Sequence, residues 1–514
     1  MARLWTWLRE DVWEIRFRRY VALTLAAVLA GLGVWGGMTA TKEHRSCAPG
    51  VVQPKDSDEC VGVSWTTYTF ERPLFADTVR AIHRENARLA PGSYVTVALL
   101  EPFTATDADN LADVLHELQG AYLAQYQANH DTTGLKPKIR LVLANPGSTG
   151  TYWQHTVDQL AGMTQGPDRL RAVTGVGLST DNNKKAVKEL TSRGIPVIGS
   201  SITADDLANG QNGKDPFPGL ARVSPTNTDE ARALASFAKV SAANAFLVYD
   251  RTGDPYTRTL QASFEKMLKG SRYEAQPFTP PADRSKEGST SNVFMQITNI
   301  LCNTPTTTNT ILFAGRHTQL RQFINMLGQR GCHDRRFTVL TGDEGSYLAG
   351  DKDLDPAALK DPLLTVRYTS LAHPDAWLQD GAKTGGSAAD AKVLRSLLGS
   401  AGKEPVGPVG PIALDDGQLI IAYDAMRLAV RGIRGASPTG KIPALADVGL
   451  QWPQVKGKQQ RVNGASGWIC LNVHGNPYDK AVPIVQLTPE SRARFVKIAW
   501  PEGKPPSTEC LPPA

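Results

Sequence analysis

The chain has 514 residues, 41% apolar and 21% charged, with a formal net charge of +6. That length exceeds one ordinary core and implies two to four domains, and the composition is that of a globular chain, neither disordered nor fibrous. A mean hydropathy of -0.27 excludes a polytopic membrane protein. The basic excess is too thin over this length for a nucleic-acid footprint, and no Lys/Arg stripe is clustered in the sequence.

The predicted elements begin with an anchor. Tyr20 to Met38 is uncharged, and nineteen residues at about 1.5 Å each cross a hydrocarbon core of roughly 30 Å. Arg3, Arg9, Arg16, Arg18 and Arg19 precede it, whereas only Lys42 and Arg45 follow closely. The positive-inside rule therefore predicts a cytoplasmic leader over 1–19, a transmembrane helix over 20–38 and an extracytoplasmic remainder at the cell membrane. A cleaved signal peptide is the competing reading; Met38-Thr39-Ala40 is a poor cleavage site and the apolar run is long for one. Residues 39–90 read as a polar stalk with one amphipathic stretch, Phe75 to Leu89.

A regular rhythm follows. Apolar strand candidates at Tyr94–Leu100, Ile139–Ala144, Ala172–Leu178, Pro196–Ile198, Ala245–Tyr249, Thr310–Ala314, Phe337–Thr341 and Leu363–Tyr368 alternate with helical-period runs. The helix candidates are Asp107–Asn129, Trp153–Met163, Asn182–Arg193, Thr228–Val240, Tyr256–Leu268, Ser289–Leu301 and Thr318–Arg330. Such alternation predicts α/β architecture with parallel sheets covered on both faces. A Pro-rich interruption at Gly210–Pro225, and a fresh start at Ala245, favour two open sheets over one barrel. Open α/β sheets bind ligands beyond the carboxyl ends of their strands, so two facing sheets make a cleft.

Six cysteines suit an oxidising compartment, and their grouping suggests Cys47–Cys60, Cys302–Cys332 and Cys470–Cys510, with buried free thiols as the alternative. No C-x-x-C is present, so no zinc ribbon or thioredoxin-type site is indicated. Gly435 to Lys441 matches G-x-x-x-x-G-K, but Ile442 stands where a phosphate loop needs Ser or Thr, and the stretch follows a helix. Asp351, Asp353 and Asp355 resemble a calcium loop that lacks its glycine and its last acid; capping of a helix by Asp355 is the simpler role. H-E-x-x-H and G-x-S-x-G do not occur, and the nine His have no metal spacing. Neither an enzyme nor a cofactor nor a metal is therefore expected.

Ala172 to Leu207 reads AVTGVGLSTDNNKKAVKELTSRGIPVIGSSITADDL. Together with Ala221–Glu230, the Val248–Tyr256 turn, Thr341-Gly-Asp-Glu-Gly345, Tyr423-Asp-Ala425 and Gly464-Ala-Ser-Gly467 before Asn472–Asn476, it resembles the periplasmic-binding-protein type I fold in the leucine/isoleucine/valine-binding family. The resemblance implies two Rossmann-like parallel-sheet lobes with three crossovers. Lobe one is placed at 91–222 and 374–450, lobe two at 228–368 and 451–495, and a C-terminal tail at 496–514. It implies an amino acid or similar small polar ligand, and an ABC permease or membrane sensor as partner. Ser179, Thr180, Ser200, Ser201 and Thr203 stand at strand-to-helix turns, where hydroxyls and helix N-termini take a carboxylate; plain N-capping is the competing role. Tyr256 is placed to cover the ligand, and Glu344 to take an ammonium. Arg316 stands where the family often has an aromatic, and points to a second acidic group on the ligand. Glu101 is a weaker candidate. The alternative function is a receptor-like or scaffold module that binds protein without a small ligand.

Overall fold

The computed structural model describes residues 45–282, 287–379, 384–400 and 403–513, together with Thr24. The predicted leader and most of the apolar segment from Tyr20 to Met38 lie outside the described residues. Among those described, no helix is long and apolar enough to cross a membrane.

Two sheets dominate. The first runs β1-β2-β3-β5-β4-β6-β7-β8: Arg45–Ala48, Val51–Gln53, Val61–Ser64, Tyr94–Leu100 (β4), Lys138–Asn145 (β5), Leu170–Gly175 (β6), Val197–Gly199 (β7) and Leu220–Arg222 (β8). Strands β4 to β8 are parallel, and β1 to β3 form an antiparallel edge on β5. The second sheet runs β10-β9-β11-β12-β13-β16-β17. Its parallel part is Ala245–Asp250 (β9), Gln276–Phe278 (β10), Thr310–Ala314 (β11), Phe337–Thr341 (β12) and Leu364–Thr369 (β13). Val462–Gly464 (β14) and Gly467–Ile469 (β15) pair separately, and Val482–Leu487 (β16) and Ala493–Ala499 (β17) close the second sheet antiparallel.

Helices cover both faces, which is why the strands are buried almost end to end. In chain order they include Ala76–Ala87 (α1), Ala108–Asn129 (α2), Trp153–Gly162 (α3), Asp181–Ser192 (α4), Asn227–Ala238 (α5), Pro255–Met267 (α6), Thr290–Cys302 (α7), His317–Gly328 (α8), Ala388–Leu398 (α9) and Gln418–Gly435 (α10). Asp107 starts α2 by accepting from Asn110 N. Helix α2 packs tightly on α10 because Gly120 lacks a side chain: a Cβ there would lie 2.2 Å from Leu419 O. The second core is aromatic. Phe278, Phe294, Phe313 and Phe323 are fully buried and pack ring on ring, and each contributes roughly 1.5–3 kcal/mol by burial.

Three placements differ from the sequence reading. Residues 45–87 are not a stalk; they supply the edge strands and a covering helix of lobe one, because Val51, Val61 and Val63 bury against its core. The segment 451–471 packs with lobe one, through Trp452, Val462, Ile469 and Leu471, and the second sheet takes only 482–499. The C-terminal residues begin inside β17 and then return to lobe one, where Cys510 bridges Cys470. The other bridges are Cys47–Cys60 and Cys302–Cys332. The chain crosses between lobes after β8, after β13, before β16 and again after β17. At the first crossing the buried Arg222 guanidinium donates to Ala204 O (3.0 Å) and Pro225 O (2.9 Å), and Thr226 with Asp229 forms a capping box that opens α5.

Candidate functional site

The carboxyl ends of both sheets meet between the lobes. Lobe one presents the turns after β4, β6 and β7; lobe two presents those after β9, β11 and β12. All eight site residues expected from the sequence lie on these turns or at the helix starts that follow them.

The lobe-one hydroxyls are engaged internally. Ser200 Oγ donates to Glu117 Oε2 (2.5 Å) and Ser201 Oγ to Glu117 Oε1 (2.6 Å). Ser179 Oγ accepts from Thr203 N (3.0 Å) and Ala204 N (3.2 Å), joining two neighbouring turns. Thr180 is the N-cap of α4 and accepts from Asn183 N. Behind them, the turn after β6 wraps Glu101. Gly175 and Val176 both have left-handed backbone (φ 90° and 87°), a strained state for a β-branched residue, and Gly177 N donates to Glu101 Oε1 (3.1 Å). Burial pushes the Glu101 carboxyl well up, and adjacent Glu117 pushes it further; burial likewise raises Glu117 against the pull of its two serines.

Lobe two supplies charge. Arg316 lies at the centre, 6% exposed. Its Nε and Nη2 donate to Asp254 Oδ2 (2.9 and 2.7 Å), its Nη1 to Glu344 Oε1, and its Nη2 also crosses to Ser179 O of lobe one (3.0 Å). The guanidinium sits 4.7 Å from the centre of the Tyr256 ring. Glu344, 1% exposed, accepts further from His317 N (3.0 Å) and shares a hydrogen bond with His317 Nδ1 (2.8 Å). Burial by itself would raise the Glu344 carboxyl; Arg316 and His317 outweigh it and bring it down to about 2. Asp343 goes the other way, up to about 7, through burial and the neighbouring Glu344. Thr203 Oγ1 reaches Asp343 Oδ1 (3.4 Å), a second contact between lobes. At the rim, Arg258 of α6 pairs with Asp206 of lobe one (2.6 Å).

The arrangement is a buried, mostly acidic cleft in which one arginine serves as the cation. The partners Asp254, His317 and Glu117 were not singled out from the sequence. Asp254 carried a usable signal, since Asp before Pro255 is a helix start and its carboxylate accepts from Thr257 N. Glu117 carried none; it stands mid-helix, 83 residues from Ser200.

Past Tyr347, whose ring stacks on His317 at 4.3 Å, a cavity of about 520 Å³ lies between Asp109, Asp113 and His116 of α2 and Ser346 and Tyr347 of lobe two. Asp113, His116 and Asp416 bring their donor atoms within 4.8 Å of one another, a grouping that spacing in the sequence did not reveal. These groups already have partners: His116 bonds Asp416, and Gln418 Nε2 donates to Asp113 (3.2 Å). The Asp351–Asp355 loop serves structure. Asp351 and Asp353 hold Arg321, and Asp355 caps the short helix Pro356–Lys360.

No protein-family model matches the sequence, and no curated protein matches it. Solved structures do match the fold. The branched-chain amino acid transporter substrate-binding protein LivJ of Streptococcus pneumoniae, in complex with isoleucine, is 14% identical with a TM-score of 0.56, over 79% of this chain and 99% of that one. A leucine-binding protein LivK of Thermotoga maritima is 16% identical at 0.55, over 79% and 99%. A solute-binding protein of an ABC transporter from R. palustris, in complex with benzoate, is 14% identical at 0.55, over 81% and 99%. The chain therefore has the two-lobed periplasmic-binding-protein type I fold.

Proposed function

We propose that this chain is a membrane-anchored, extracytoplasmic solute-binding protein that takes an amino acid or similar small polar ligand between its lobes, for ABC-type transport or for sensing, without catalysis. One observation carries the reading: strand-end turns from two lobes close around Glu344, a buried carboxylate held ionised. An ionised carboxylate in a dry cleft requires a cation. A ligand ammonium can fill that role by displacing Arg316 from Glu344 once the lobes open and Arg316 leaves Ser179. Hydroxyls and backbone donors at the start of α4 are suited to an anionic end of the same ligand. Binding would shift a pre-existing equilibrium between open and closed lobes. The uncharged segment from Tyr20 to Met38 is the proposed anchor, with the N-terminus cytoplasmic.

The test is thermal shift and calorimetry with amino acids, small peptides and carboxylates. A ligand at about 100 times Kd stabilises by roughly 2.7 kcal/mol. Glu344→Ala is expected to abolish binding of any amine-bearing ligand; unchanged affinity removes Glu344 from the site.

The second reading, a receptor-like or scaffold module that binds protein and no small ligand, is favoured by one contact. Arg316 joins Glu344 and Asp254 to Ser179 O across the cleft, so the closed form is partnered by the chain's own cation. Native mass spectrometry of freshly purified protein separates the two: a co-purified small molecule supports the first, and a ligand-free chain that captures a protein partner supports the second.

A further inference from the structure

A second cavity lies in lobe one at the far ends of its central helices. Asp113, beside the cleft, and Gln127 are both on α2, fourteen residues apart, or about 21 Å along the helix at 1.5 Å per residue. The cavity has a volume of about 680 Å³, within the range of small-molecule sites. Its lining includes four arginines: Arg427, Arg431, Arg434 and Arg461. The first three recur at helical spacing on α10, so they share one face. Arg461 comes from the segment just before β14.

Their charge is barely compensated. Arg434, in the last turn of α10, complements the helix end and pairs weakly with Asp131 at 3.5 Å, with Nη2 on Ala128 O (2.7 Å). Among the described residues, Arg427, Arg431 and Arg461 have no ion-pair partner. Arg427 Nη1 donates to Asn463 O (2.5 Å); Arg461 donates to Asn463 Oδ1 (2.9 Å) and Thr508 O (2.8 Å). Two of the guanidiniums are also fixed by aromatic rings, Arg461 at 3.3 Å from the Trp468 centre and Arg427 at 5.3 Å from Tyr423. Holding cations of one sign together costs stability, and surface arginines usually spread or pair. Convergent, partly immobilised forks are what recognise a multiply charged oxyanion.

We propose that this cavity is an anion site for a phosphoryl group, with Arg427, Arg431 and Arg461 as its ligands. The group belongs either to a soluble phosphate compound or to an anionic lipid headgroup; Leu135 and Leu397 in the lining offer apolar surface to the rest of such a molecule.

Calorimetry on the purified full-length chain in neutral detergent tests this with two probes, pyrophosphate and dihexanoyl phosphatidic acid below its micelle concentration. Binding of either is expected, weakening with salt, and about 10-fold weaker in Arg431→Gln. The Arg431 side chain makes no hydrogen bond or ion pair among the described residues, so its replacement is expected to leave the melting temperature unchanged; Arg427→Gln is the second variant. Tighter binding of the lipid by about 10-fold assigns the headgroup, and equal or tighter pyrophosphate assigns the soluble compound. No heat and no thermal shift from either probe at about 10 mM overturns the site, as does affinity unchanged in Arg427→Gln/Arg431→Gln.

Discussion

The two lobes reach the cleft with similar turns and opposite chemistry. Lobe one brings Ser179, Ser200, Ser201 and Thr203, whose oxygens are mostly engaged with their own lobe. Lobe two brings Arg316, Asp254, Asp343 and Glu344, whose charges meet one another and cross the gap. Hydroxyls can be satisfied locally at little cost. A buried charge cannot, and so it recruits partners from both sides. A serine at a strand end thus says less about ligand contact than an acid or arginine at the same place.

That contrast can be broken by mutation. The largest effect is expected from Glu344→Ala, which leaves Arg316 buried with one carboxylate fewer; a loss of about 3–5 kcal/mol in urea unfolding is expected. Replacing the arginine together with both of its carboxylates, as Arg316→Met/Glu344→Leu/Asp254→Asn, should recover most of it. Equal losses in the single and triple variants would show that the cluster is not what holds the cleft.

On the lobe-one side, Glu117→Ala leaves two buried hydroxyls with only their longer bonds to Gly175 O (3.2 Å) and Gly177 O (3.4 Å), and a smaller loss of about 2 kcal/mol is expected. If Ser200→Ala/Ser201→Ala in that background restores nothing, the serines were not bound to Glu117.

Acidity sharpens the comparison further. Asp343 is raised to about 7 by burial and Glu344, amid Arg316, Tyr256 and Glu230, and Asp205 to about 6 by burial, with Thr228 and Arg222 pulling it down. In each the folded state holds a proton that the unfolded chain has already released, so stability falls as pH rises from about 4 through those values. Glu344, held near 2, acts oppositely, but only below its unfolded value of about 4.3. The melting temperature is therefore expected to drop by a few degrees between pH 5 and 8, and Asp343→Asn should flatten the slope. A profile that rises over this window contradicts the assignment. The smallest effect is Thr180→Ala, a lost helix cap worth about 1 kcal/mol, read as a shift in the unfolding midpoint.

Much of the fold was legible because parallel strands buried on both faces are continuous apolar runs. Tyr94–Leu100, Thr310–Ala314 and Phe337–Thr341 are strands over the residues predicted. The antiparallel pieces were not legible. Arg45–Ala48 and Val51–Gln53 are only four and three residues long, too short to show a pattern, and Ala493–Ala499 carries Arg494 and Lys497 and is only partly buried, so it does not read as a continuous apolar run. The segment 451–471 was assigned to the wrong lobe since its core residues are few and its neighbours in sequence cross the hinge. At the site, the turns were readable from Ser, Thr, Asp and Gly beside strand ends. Which groups neutralise Arg316 was not, because Asp254 and Glu344 reach it from turns 62 and 28 residues away.

The returning C-terminus has a mechanical meaning. After β17 the chain lays Trp500 beside Trp377, ties Glu502 to Arg232 (2.6 Å) and ends in a covalent bond to Cys470. A strap woven into one half and locked to the other travels with neither alone. Parting the halves widely must peel it away, so an intact Cys470–Cys510 bond sets a stop on the swing, and a reducing agent should lengthen the arc through which this jaw can move.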